Sequence, residues 1–186
     1  MDYTPMTPTI IAYSTADLLF GKIDREAMQR SVEQAVTEWN RVLAGLVVFQ
    51  PWVKGCTDPL VLITFGHQFK PRPTTTETWA TCTQFPGKLA PRWVIELKDN
   101  PRLNWKPLPV TRFGIWWRRV NGLAVGSISI VAVLLHELGH VLQLPHEEVE
   151  DLIMSESCAQ RETIRPMEAK RYRTWFEKYI AAQQHD

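Results

Sequence analysis

The sequence predicts a single mixed α/β (α+β) domain spanning residues 1–186, and three observations support this. Short apolar runs bounded by Pro, Gly, Ser or Asp recur through the first two thirds of the chain, as strands do. Helical patterns occupy three longer stretches, beginning near Asp24, Ser127 and Pro166. A hydrophobic content of 45% with 22% charged residues, over 186 residues, is enough for one sizeable core.

Taken in order, Thr9 to Tyr13 is a first strand, short and apolar between Pro8 and Ser14. Asp24 caps a helix running to about Leu43. Its buried stripe is Met28, Val32, Ala35, Val36, Trp39 and Leu43, at three- and four-residue steps. Leu46 to Phe49 and Leu60 to Phe65 are the next strands, separated by a loop through Gly55 and Pro59. A Pro/Thr-rich surface segment, residues 70–78, follows the isolated His67, which has no partner in metal-ligand spacing and reads as a loop histidine. Trp79 to Gln84 is an edge strand ended by Pro86-Gly87, and Arg92 to Leu97 is another strand. Residues 113–120 and 123–125 form a hairpin, because Asn121-Gly122 suits a type I′ turn. A helix with Ser127 or Ser129 as cap comes next, then an acidic loop from Glu147 to Asp151, read as solvated. Pro166 opens a last helix to about Ala182 whose buried face carries Met167, Arg171, Trp175 and Tyr179. No repeat or linker divides the chain.

Composition removes several function classes. A formal net charge of +1 gives no electrostatic reason to expect nucleic acid or an anionic membrane as partner. The Trp116-Trp117-Arg118-Arg119 run therefore reads as alternating strand faces, not a nucleic-acid surface. Leu123 to Leu135 is the most apolar stretch and is too short to span a bilayer. The N-terminus lacks the basic start and apolar run of a secretory signal. The expectation is a cytoplasmic or particle-associated chain, unless this is a processed mature form. Cys56, Cys82 and Cys158 are expected as free thiols in a reducing compartment.

The stretch Val131 to His146 carries the chemistry: VAVLLHELGHVLQLPH. His136 and His140 are four apart, so on a helix they stack one turn above the other on one face. Two imidazoles so placed reach one ion at a Zn–N distance of about 2.0–2.1 Å. Glu137 projects from a neighbouring angle, towards a metal-bound water and not the metal. His146 would lie about 15 Å beyond His136 if the helix continued. The chain must turn back, and Pro145 ends the helix for that purpose. Three of the five histidines thus fall within eleven residues.

With Met154 eight residues after His146, in Asp151-Leu-Ile-Met-Ser, the chain resembles a metzincin zinc endopeptidase. It is most similar to the matrixin (matrix metalloproteinase-like) catalytic domain. His136, Glu137, His140 and His146 match that clan's zinc motif and Met154 its methionine turn. Weaker likenesses follow the matrixin order: Glu38-Trp39-Asn40, Leu60 to Phe65, Thr81 to Gly87 and Glu96 to Trp105. The resemblance implies a twisted, mixed five-stranded sheet with three main helices and a zinc cleft. It implies a monomer that hydrolyses an extended peptide or protein, laid along the edge strand at Trp79, Ala80, Thr81 and Cys82. Three imidazole ligands would leave a fourth zinc position for water, with Glu137 as general base and acid. Met154 would form an apolar floor beneath them.

The sequence also departs from the pattern. Gln143 stands where the family has glycine, in a turn whose left-handed geometry costs a non-glycine residue roughly 1–2 kcal/mol. The ligands of the matrixin structural zinc and the Gly/Asp-rich calcium segments are missing, so one catalytic zinc is expected, with no structural zinc or calcium. No cysteine-switch propeptide is expected, since Cys56 lies inside the domain without the family's flanking residues, and Glu156-Ser157-Cys158 replaces the Pro-x-Tyr that walls the specificity pocket. Residues 106–125 form an insertion. Two other readings stand beside the peptidase: a metzincin-like domain used as a non-catalytic binding or assembly module, and a zinc amidase acting on a non-protein amide.

Overall fold

A computed structural model of the chain describes residues 8–15, 25–55, 60–65, 80–85, 92–97, 103–106, 118–120, 123–156 and 161–183. It is a mixed α/β structure built on a five-stranded sheet, with three helices among the described residues. Strands β1 (Thr9–Ser14), β2 (Val47–Pro51), β3 (Leu60–Phe65), β4 (Ala80–Gln84) and β5 (Trp93–Leu97) lie in the order β2-β1-β3-β5-β4. The first four of that order run parallel, and β4 is antiparallel at the edge, with Cys82 opposite Ile95. All five residues of β5 are buried, as suits a strand flanked on both sides.

Helix α1 (Arg25–Val42) makes the parallel crossover from β1 to β2, and α2 (Ile130–Val141) packs against α1, β4 and β5. The stripe expected on α1 is buried, with Met28, Val32, Ala35 and Trp39 fully enclosed. The expected cap, Asp24, lies outside the described residues, as do His67, Trp79, Cys56, Cys158 and residues 113–117. Cys82 is a free, half-buried thiol. Among the described residues no helix is long and apolar enough to cross a membrane.

Two readings are corrected. The strand before α2 does not stop at Val125: β8 runs Leu123–Ser129, straight into the helix. The reason is β6 (Leu103–Lys106), a strand the sequence did not reveal, which pairs parallel with Gly126 to Ser129. The hairpin itself is present, since β7 (Arg118–Val120) pairs antiparallel with β8. Ser129, not Ser127, caps α2: its Oγ accepts from Ala132 N at 3.3 Å and donates to Glu162 at 3.0 Å. The second correction concerns α3 (Pro166–Gln183). Its buried residues are Glu168, Tyr172 and Phe176, one position on from the predicted stripe. Met167 is 82% exposed, while Trp175 and Tyr179 only flank the core. The helix is rotated because Glu168 is drawn inward by partners described below.

The C-terminus of α2 closes with paired hydrogen bonds, Gln143 N to His140 O at 2.9 Å and Leu144 N to Gly139 O at 3.0 Å. This is the Schellman arrangement, which requires a left-handed residue after the cap. Gln143 adopts it, with φ of 64°, so the turn forms without the usual glycine. Gln143→Gly should therefore raise stability by about 0.5–1 kcal/mol, the relieved strain less the added freedom of the unfolded chain. Urea unfolding measures this, and a net loss would show that the glutamine side chain makes contacts outweighing the strain.

Candidate metal centre

The turn after α2 brings His146 back onto the face that carries His136 and His140. The three Nε2 atoms form a triangle with edges of 3.0 Å (His136–His140), 3.0 Å (His140–His146) and 3.2 Å (His136–His146). Backbone carbonyls fix the other ring nitrogen of two of the histidines. His136 Nδ1–H donates to Ile153 O at 2.8 Å, and His140 Nδ1–H donates to Leu144 O at 3.1 Å. A carbonyl only accepts, so in these neutral rings Nε2 carries the lone pair. Two lone pairs facing at 3.0 Å cannot hydrogen-bond each other, and a cation between them satisfies both. Tetrahedral nitrogens about 2.0–2.1 Å from an ion stand about 3.3 Å apart, close to the observed edges. The three histidines could thus hold one metal ion.

Electrostatics agree with ligand-ready rings. Burial pushes His136 down to about 4; its carbonyl bond opposes this, and the neighbouring His140 and His146 reinforce it. Burial lowers His140 too. Exposure rises from buried His136 through half-buried His140 to exposed His146, so the centre opens on the His146 side.

The loop from Glu147 to Ser155 supplies the Ile153 carbonyl that holds His136. Glu147 N bonds Met154 O at 2.8 Å, closing the loop on itself. Met154 is fully buried. Its side chain rests on Gly139, where an added Cβ would meet Met154 Sδ at 2.2 Å and Trp39 Cζ2 at 3.4 Å. Trp39 Nε1 also donates to Leu135 O inside α2, at 2.9 Å. From α3, Tyr172 Oη accepts from Met154 N at 3.3 Å, and Glu168 Oε1 accepts from Ile153 N at 2.9 Å. Glu168 also takes two bonds from Arg161, at 2.8 and 3.0 Å, and one from Arg165 N at 3.1 Å. The peptide held by Glu168 is thus followed directly by the carbonyl that orients His136.

Sequence reasoning found the histidines and Met154 but missed Gly139, Trp39, Arg161, Glu168 and Tyr172. Only Gly139 carried a signal, as an isolated glycine within a helix.

Glu137 is buried on α2 beside His136 and is not a member of the histidine group. Burial and, after it, the charge of Glu137 raise the Cys82 thiol to about 12, which places this carboxylate near edge strand β4. Of the expected peptide-contacting positions, Ala80 is buried, Thr81 and Cys82 are half-buried on β4, and Trp79 falls outside the described residues. The acidic loop is more than solvated. Arg171 pairs with Glu147 at 2.6 Å and Arg165 with Asp151 at 2.7 Å, so these two acids brace the loop against α3.

The sequence matches no protein-family model and none of the curated proteins compared with it.

Burial by itself raises the Glu168 carboxyl, but the hydrogen bonds from Arg161, Ile153 N and Arg165 N, with the charge of Arg161, carry it below its ordinary value. A carboxylate lowered by folding contributes stability above its unfolded pKa of about 4.3, lost as pH falls through the folded value. Glu168→Gln should cost about 2–3 kcal/mol at pH 7 by stranding Arg161. The gap from wild type should shrink as pH falls below about 4.3. Urea melts at pH 7 and pH 3.5 measure both, and a gap independent of pH would contradict a charged Glu168.

Proposed function

We propose that this chain is a zinc-dependent metalloendopeptidase of metzincin type, most similar to the matrixin catalytic domain. The observation that carries the reading is the convergence of three imidazole Nε2 atoms, 3.0–3.2 Å apart, with a buried carboxylate, Glu137, next to His136 in the chain. His136, His140 and His146 would hold the ion, and an all-imidazole set on an open face suits catalytic zinc. When bound, zinc supplies a Lewis acid that acidifies water and polarises a carbonyl.

The chain's own residues do the rest. Glu137 takes the proton of the attacking water and returns it to the leaving amine, as a positioned general base and acid. Its burial removes competing solvent, and its neighbour Cys82, held as a thiol, leaves Glu137 the only charged group of that pair. Strand β4 is at the sheet edge among the described residues, and its outer backbone groups would pair with an extended peptide. Ala80, Thr81 and Cys82 would line that strand of the cleft.

Glu137→Ala should keep one zinc per chain and the wild-type fold while lowering kcat/KM on a cleaved peptide at least about a hundredfold. Metal analysis, circular dichroism and peptide hydrolysis on the same preparation test this. Retained cleavage with retained zinc would remove Glu137 from the mechanism.

A further inference from the structure

We infer that the cavity beside His146 is a specificity subsite for a basic side chain of the substrate, an inference that rests on the proposed peptidase activity. The cavity holds about 320 Å³ between the loop after α2 and helix α3. That is at the small end for ligand pockets, about 300–1,000 Å³, and suits one side chain. Its walls include Pro145, His146, Glu147, Glu148, Arg171 and Trp175. His146 belongs both to the histidine triad and to this wall. A peptide whose scissile bond lies at the triad can therefore place a nearby side chain in the cavity.

Charge selects that side chain. Arg171 Nη1 lies 2.6 Å from Glu147 Oε2, and the Glu147 side chain is only 10% exposed, so that pair is matched internally. Two carboxylates against one guanidinium leave one net negative charge, carried at the exposed Glu148. An acidic side chain would meet Glu148 and find Arg171 engaged. An aliphatic one would cover Glu148 without pairing it, which is unfavourable. Lys170 and Lys178 line a separate groove of α3, on the far side of Arg171 and Trp175.

Shape agrees with charge. The half-buried Trp175 ring is stacked on Tyr179, with centroids 5.3 Å apart and planes 9° from parallel. A ring so fixed offers a flat wall to the methylenes of Arg or Lys and a cation–π contact to the head group. The apolar Pro145 contributes to the same wall.

The test is cleavage of a randomised peptide library by the zinc-loaded full chain, then matched peptides with Arg, Leu or Glu at the selected position. Wild type should favour Arg over Leu in kcat/KM by about tenfold, one ion pair plus one cation–π contact. Glu148→Gln should cut the Arg-to-Leu ratio to about twofold, and Glu148→Lys should turn preference towards Glu. Trp175→Leu, checked for fold and zinc content, should also lower the ratio. Cleavage with no basic preference, or a preference untouched by both Glu148 variants, overturns the subsite alone. No cleavage of any peptide by zinc-loaded wild type overturns the peptidase reading, and the subsite with it.

Discussion

Three imidazole rings must be held against one another, with their Nε2 atoms 3.0–3.2 Å apart. Without a cation this contact is unfavourable, so the fold has to impose it. Two of the rings are held from behind, His136 through Ile153 O and His140 through Leu144 O. Those carbonyls belong to the loop and turn that follow α2, so the placement of two ligands depends on chain that comes after them. The strained backbone at Gln143, with φ of 64°, is part of the same cost. The chain accepts it because the reversal there returns His146 to the helix face it left.

The loop around Met154 is where the three helices meet. Trp39 comes from α1, Gly139 from α2, and Glu168 and Tyr172 from α3. The Trp39 and Tyr172 rings lie 5.6 Å apart, closing the floor. Glycine normally costs a helix about 1 kcal/mol relative to alanine. At position 139 the space is needed, because a Cβ would overlap the Met154 sulfur. Hydrogen bonds to a charged partner contribute about 1.5–3 kcal/mol each, and Glu168 gathers several on one buried carboxylate. These bonds hold the Ile153 peptide, whose carbonyl in turn orients His136.

Much of this was legible in the sequence, and the misses have physical causes. The sheet strands were readable because β-branched and apolar runs such as Leu60 to Phe65 stand between turn residues. The histidine group was readable because four-residue spacing plus a helix stop admits few geometries. Strand β6 was hidden: its four residues, LNWK, alternate apolar and polar but make too short a run to stand out, and they become a strand only beside a parallel partner about twenty residues later. The face of α3 was misread because periodicity counts apolar residues, and the inward residue at its start is an acid, Glu168, whose partner Arg161 lies outside the helix. No local pattern marks which acid of a helix will be paired. The contacts of Gly139 and Trp39 with the methionine loop appear only when α1, α2 and that loop are brought together.

As proposed, His136, His140 and His146 hold a single zinc ion through nitrogen alone. Zinc K-edge X-ray absorption on protein carrying one equivalent of zinc tests this most directly. The account predicts one zinc per chain with nitrogen or oxygen scatterers at about 2.0–2.1 Å, outer-shell scattering from three imidazole rings, and no sulfur. A sulfur shell at about 2.3 Å, or fewer than three imidazoles, would contradict it.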